Sequence, residues 1–158
     1  MKDPVTHDSA DYRLASAPLS HRDGVLRADD FDDLYFSRDD GLGEARHVFL
    51  DGNDLAGRIT VASQFTIAET GFGTGLNFLA VMALREASTL KQSQPACQID
   101  YISFESRPLP TAVMAQSHQA FADLAHHSHD LIAALPPQWP GLHRRDFLHG
   151  RLRLHLIY

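Results

Sequence analysis

Residues 65–78 read Phe65-Thr66-Ile67-Ala68-Glu69-Thr70-Gly71-Phe72-Gly73-Thr74-Gly75-Leu76-Asn77-Phe78. Phe65–Ala68 has the pattern of a short buried strand, and Glu69 to Gly75 is a glycine-rich turn. From Leu76 to Leu90, apolar or small residues recur at 76, 79, 83, 87 and 90, which predicts one face of a helix. A strand that runs through glycines into a helix builds a pocket for an anion or a nucleotide. The free N–H groups and positive dipole end of the helix face whatever sits over the turn. Gly71 allows the sharp turn, Gly73 lets the backbone approach a ligand that a Cβ would hold off, and Gly75 permits close helix–strand packing. The spacing narrows the ligand. A dinucleotide fingerprint would place a third glycine at position 76, which is Leu76. A phosphate-binding P-loop would need Gly-Lys-Ser/Thr, yet Gly75 is followed by Leu76-Asn77. What stands is an acid, Glu69, followed by glycines at 71, 73 and 75.

Toward the C-terminus, Ile99-Asp100-Tyr101-Ile102-Ser103-Phe104 reads as a second strand that ends in Glu105. Pro108 and Pro110 suit a helix start, and Met114, His118, Phe121 and Leu124 line one face of that helix. A further short helix at about 128–135 stops at Pro136-Pro137. Gly141–Phe147 and Arg151–Ile157 flank a His149-Gly150 turn, and Leu152, Leu154 and Leu156 alternate with Arg153 and His155 as in a strand. From 65 onward the order is strand, helix, strand, helix, strand. This predicts an α/β fold with parallel strands joined by right-handed crossovers, in sheet order 3-2-1. Glu105 then sits at the carboxyl rim of the second strand, where open parallel sheets bind ligands. Its two acceptor oxygens suit a pair of ribose hydroxyls; the alternative is a solvated loop acid paired with Arg107.

Toward the N-terminus, residues 1–28 are polar and weakly patterned, an arm with a short strand expected at Tyr12–Leu14. Residues 29–40 are dense in aspartate but carry Phe31, Tyr35 and Phe36, so part of this segment should pack. Asp40 can cap a helix that begins near Gly41, with Leu42, Ala45, Val48 and Phe49 at helical spacing and Gly52-Asn53 as the stop. Val48-Phe49-Leu50 reads equally well as a strand, and 53–63 reads as a connection. The expected division is residues 1–58 as arm and aspartate–aromatic cap, and 59–158 as the α/β unit.

The chain has 158 residues and a formal net charge of −6, which argues against holding nucleic acid mainly by a basic field. Arg144, Arg145, Arg151 and Arg153 form the one basic cluster. With Arg151 and Arg153 on one strand face, they are either a nucleic-acid backbone contact or a solvated face. The single cysteine, Cys97, excludes an internal disulfide framework and a multi-cysteine zinc site and fits a reducing compartment. His126, His127 and His129 have no carboxylate–cysteine set near them and read as a solvated helix end, so no metal is expected. No apolar leader follows Met1, and the longest uncharged stretch, between Glu69 and Arg85, is shorter than the ~20 residues a membrane helix needs. The expected place is the cytoplasm, away from any membrane.

The pattern Glu69-x-Gly71-x-Gly73-x-Gly75 resembles the first motif of class I S-adenosylmethionine-dependent methyltransferases. In that family the loop wraps the amino-acid part and ribose of the cofactor. Two blocks narrow the resemblance. One is Asp30-Phe31-Asp32-Asp33-Leu34-Tyr35-Phe36-Ser37 with Asp40-Gly41-Leu42 and Glu44-Ala45-Arg46-His47-Val48-Phe49-Leu50-Asp51-Gly52-Asn53; the other is Glu69 to Phe78. Together they look like the N-terminal methyltransferase domain of the bacterial bifunctional tRNA 5-methylaminomethyl-2-thiouridine biosynthesis protein. Tyr101 to Glu105 and Leu142-His143-Arg144 fit it too, and the resemblance runs from about 29 to 158.

The resemblance implies a partial Rossmann-like class I sheet with later strands missing, and S-adenosylmethionine as cofactor. It implies methyl transfer to the aminomethyl nitrogen of a modified wobble uridine in tRNA. Glu69, Gly71, Phe72, Gly73, Thr74, Gly75, Asn77 and Glu105 would hold the cofactor, and Asp33, Tyr35 and Phe36 are substrate-lid candidates. The catalytic residues, and an FAD-dependent domain that generates the amine, are expected beyond Tyr158. The alternatives are an inactive fragment that only binds, and a class I methyltransferase acting on a small molecule.

Overall fold

The computed structural model describes residues 12–16, 18–22, 25–28, 33–34, 41–89 and 97–158. Of the lid candidates, Tyr35 and Phe36 lie outside the described residues, as do Asp40 and Leu90. Asp33 is described only as backbone, in β3.

The N-terminal part contains β1 (Leu19–Arg22), β2 (Val25–Ala28) and β3 (Asp33–Leu34), an antiparallel sheet in that order. The strand expected at Tyr12–Leu14 does not form. That stretch instead docks, with the Leu14 N–H donating to the Gln138 carbonyl at 2.9 Å. The Gln138 side chain completes the anchor: its amide Nε2 donates to the Leu109 and Pro108 carbonyls at 2.9 and 3.3 Å.

A short α1 (Gly41–Glu44) continues as a π-helix over Ala45–Asp51. The helical reading of this stretch therefore prevails over the strand reading at 48–50, with wider winding than the spacing implied. The connection expected over 53–63 contains a helix, α2 (Leu55–Val61). Leu55 and Ile59, four apart, are both buried. That one-turn apolar spacing is too short a signal to stand out beside Gly57 and the β-branched run Ile59-Thr60-Val61. Leu42, Ala45, Leu50, Leu55 and Ile59 join the same hydrophobic core as the large sheet.

The large sheet comprises β4 (Gln64–Thr70), β5 (Gln98–Phe104), β6 (Leu142–Phe147) and β7 (Leu152–Ile157), in order β4-β5-β7-β6. The three parallel strands stand in the expected order 3-2-1, with Ile67 opposite Tyr101 and Tyr101 opposite Leu154. β6 adds an antiparallel strand at the outer edge, so the sheet is mixed. The β6–β7 turn uses Leu148, His149 and Gly150, all at positive φ.

Helices α3 (Leu76–Thr89), α4 (Thr111–His118) and α5 (Ala125–Ala134) supply the connections. Because the strands advance across the sheet in one direction, right-handed crossovers put both connections on the same face. Ile67, Ile99, Tyr101, Ser103, Leu152, Leu154 and Leu156 are buried on that face. On the opposite face Thr66, Ala68 and Thr70 are exposed, and Phe104 is 49% exposed.

Three helix readings are corrected. In α3 the buried set is broader than the predicted stripe: Phe78 to Met82 are all buried, while Ala87 is exposed. Arg85 is buried, with its Nε donating to the Cys97 carbonyl at 3.1 Å. Helix α4 ends at His118, so Phe121 and Leu124 belong to the following turn and a 3-10 helix at Ala122–Leu124. The next helix begins at Ala125, three residues before its predicted start, and its histidines are not all solvated. His127 is 6% exposed, with Nε2 3.2 Å from Glu86 Oε2 on α3.

Candidate functional site

Three strand ends meet at the glycine turn. The parallel ladder runs past the strands themselves: the Gly71 N–H donates to the Phe104 carbonyl at 2.7 Å, and the Glu105 N–H to the Ile157 carbonyl at 2.9 Å. This continuation sets Glu105 level with the turn. Its carboxylate lies across the mouth, Oε2 accepting the Gly73 N–H at 3.0 Å and Oε1 the Arg107 N–H at 2.7 Å. A carboxylate oxygen has two acceptor sites, so each oxygen keeps one for a ligand hydroxyl.

The glycines divide their work. Gly71 has φ +82°, and among the described residues a Cβ there would meet nothing within 4 Å, so these residues leave space above the turn. At Gly75, φ is +79° and a Cβ would fall 3.0 Å from the Phe72 ring and 3.1 Å from Leu131 Cδ2. Gly75 therefore lets α5 and the Phe72 ring close against the turn. The Phe72 and Thr74 side chains are buried, which leaves their backbone as what they present to a ligand. The turn itself is closed by the Gly75 N–H on the Phe72 carbonyl at 2.8 Å.

Glu69 faces inward from the end of β4. Its Oε1 accepts from Ser103 Oγ at 2.9 Å and its Oε2 from Asn77 Nδ2 at 3.2 Å. Burial pushes the Glu69 carboxyl above the usual carboxylate range. Tyr101, Ser103 and Asn77 oppose that rise, and the charge of Glu105 adds to it. Among the described residues the Tyr101 hydroxyl has no partner in hydrogen-bond geometry. Burial, then the Glu69 charge, lifts its pKa well above the ordinary value. At the third strand end, burial and the Glu105 charge push Tyr158 up to about 12. Glu69 behind the turn and Glu105 across its mouth are close enough for their charges to interact, an arrangement that favours a cationic or hydroxyl-rich ligand and disfavours a phosphate.

An unfolded glutamate titrates near 4.5 and the folded one higher, so folding stability is lost as pH rises from the first value through the second. Glu69→Gln removes this loss. In urea unfolding, the variant should gain on the native chain between acid and neutral pH; a difference that does not move with pH would contradict the burial of this charge.

The structure brings Glu69, Gly71, Gly73, Gly75, Asn77 and Glu105 together. Ser103 was not expected. Its signal was present: it falls on the buried parity of its strand and lies opposite Glu69 in parallel register. The basic cluster is corrected. Arg151 sits in the turn before β7, so of the pair only Arg153 lies within the strand. Arg144 is paired with Asp146 at 3.0 Å, Arg153 lies 3.6 Å from Asp100, and Arg145 donates to the Ala134 carbonyl at 2.6 Å. Among the described residues no group of three or more metal-ligating side chains occurs, and no helix is long and apolar enough to cross a membrane.

No protein-family model matches the chain. Curated relatives do. The chain is 41% identical over 152 residues to the tRNA 5-methylaminomethyl-2-thiouridine biosynthesis bifunctional protein MnmC of Marinomonas sp., covering 93% of this chain and 22% of that protein. It is 42% identical over 153 residues to the protein of the same name from Aeromonas salmonicida, covering 95% and 22%. For the one from Magnetococcus marinus the identity is 38% over 138 residues, covering 87% and 20%. The chain spans about a fifth of the length of these relatives. The crystal structure of MNMC2 from Aquifex aeolicus superposes with a TM-score of 0.58 at 15% identity, covering 90% of this chain and 42% of that one. At that identity the likeness establishes the shared fold.

Proposed function

We propose that this chain, a relative of one segment of the tRNA 5-methylaminomethyl-2-thiouridine biosynthesis bifunctional proteins, is an S-adenosylmethionine-binding methyltransferase unit of tRNA modification. Its substrate in this reading is the aminomethyl nitrogen of a modified wobble uridine. The observation that carries the reading is the Glu105 carboxylate, fixed across the mouth of the Gly71–Gly75 turn by the Gly73 N–H. The residues fit such a cofactor. The free acceptor sites of Glu105 suit the two ribose hydroxyls, and the open space over Gly71 leaves room for its amino-acid part. The inward Glu69 carboxylate suits a ligand that carries positive charge. The cofactor supplies an already activated methyl group, so the task of these residues is to hold it in line with the incoming amine. Asp33, Tyr35 and Phe36 are assigned to the substrate side by resemblance alone, the aromatic rings stacking on a base. The flavin-dependent step falls to the part of the relatives' length outside this chain.

A second reading, binding without turnover, is favoured by one observation: β4 stands at the edge of the sheet, so among the described residues no strand walls the turn on that side. One experiment separates the readings. The chain is titrated with S-adenosylmethionine by calorimetry, then incubated with labelled cofactor and hypomodified tRNA, and the wobble nucleoside is analysed. Binding with methylated product supports the first reading, binding alone supports the second, and no binding sinks both.

A further inference from the structure

The glycine turn is tied from behind by a histidine that the cofactor reading does not use. His118, the last residue of α4, is 4% exposed. Its Nε2 lies 2.8 Å from the Thr74 carbonyl, and its Nδ1 lies 2.7 Å from Ser128 Oγ on α5. A carbonyl only accepts, so Nε2 must carry the hydrogen; Nδ1 is then free to accept from the Ser128 hydroxyl. The two contacts together select one neutral tautomer. Burial supports it by pushing the ring's pKa below the ordinary histidine value, against the opposing pull of the Thr74 carbonyl.

This carbonyl belongs to the peptide that joins Thr74 to Gly75, which sits at φ +79°, and glycine accepts either sign of φ at little cost. Rotating that peptide would break the Gly75 N–H bond to Phe72 that closes the turn. It would also swing the carbonyl dipole toward the mouth, and disturb the loop that presents the Gly73 N–H to Glu105. We propose that His118 is the positioning residue of the glycine turn. It holds the Thr74 carbonyl inward, and Ser128 sets its tautomer. The ligand whose binding this serves rests on the reading above, whereas the tie itself does not.

The test uses the full chain and four variants, His118→Ala, His118→Gln, Ser128→Ala and the double variant that joins His118→Ala with Ser128→Ala. Three measurements are made: the tautomer of His118 by nitrogen-15 NMR, amide hydrogen exchange, and calorimetric titration with S-adenosylhomocysteine. The native ring should show the Nε2–H form. Exchange at Gly75 should quicken about tenfold in His118→Ala and less in Ser128→Ala, with the central-strand amides of Tyr101 and Leu154 unchanged. Affinity should fall in the same order. His118→Gln, which keeps an N–H donor, should recover part of both losses. Because Ser128 acts through the ring, the double variant should be no worse than His118→Ala alone. An Nδ1–H tautomer, native Gly75 exchange in a folded His118→Ala, or single losses that multiply in the double variant would overturn the proposal. If His118→Ala does not fold, Ser128→Ala, which loses only one half-buried hydroxyl, decides by the same readouts. If the native chain takes up no S-adenosylhomocysteine, the cofactor reading falls while tautomer and exchange still decide the role of His118.

Discussion

Replacing Glu105 with alanine should weaken S-adenosylmethionine binding by about two orders of magnitude. Hydrogen bonds to a charged acceptor set the size of this loss. Each is worth about 1.5–3 kcal/mol, and two ribose hydroxyls would meet the two carboxylate oxygens. Partial replacement by water brings the net loss to about 3 kcal/mol, and each 1.4 kcal/mol is about tenfold in affinity. The loop suffers as well, since the Gly73 N–H loses its 3.0 Å partner. Glu105→Gln keeps one carbonyl acceptor and should fall between alanine and the native residue. Calorimetric titration of the three proteins checks the order. An alanine variant that binds within about threefold of the native chain would remove Glu105 from the site, and with it the main support for a nucleoside ligand.

The second large effect is on stability. Phe78→Ala should cost about 3–5 kcal/mol, the range for emptying a buried phenylalanine site. Phe78 is fully buried on α3, and its ring meets Tyr101 at 5.1 Å and Phe147 at 5.2 Å, both edge-on, with Phe72 at 6.3 Å. It therefore joins the glycine turn, β5 and β6 through one side chain. Against a typical domain stability of about 5–15 kcal/mol, losing it removes a large share. Phe104, 49% exposed on the open face of the sheet, is the matched control, and its alanine variant should cost well under half as much. Urea unfolding followed by circular dichroism measures both; equal losses would contradict the one-sided core.

The parts of the fold that were legible were those with a repeating physical signal. Leu152, Leu154 and Leu156 announced a strand because every second residue had to be apolar, and they are fully buried. The glycine turn was legible because glycine is the residue that takes a positive φ at little cost. The helix over Leu55–Val61 was not, because seven residues give only one repeat of helical spacing. The burial of His127 depends on α5 docking onto α3, a tertiary event with no local trace in the sequence. The same holds at the site. Glu69, Asn77 and Glu105 were legible from their places at strand and helix ends. His118 was read only as part of a helix face, since its partners, Thr74 and Ser128, lie 44 and 10 residues away.

The anchor at Gln138 bears on the order of assembly. Ser16, 122 positions earlier in the chain, reaches it at 3.4 Å. Its two carbonyl partners, Pro108 and Leu109, sit about thirty residues before it. Contacts so distant along the polypeptide are slow to reward the entropy of closing the loop between them. The N-terminal tether should accordingly engage late in folding and be the first part released during unfolding, while the strands around Tyr101 are still assembled.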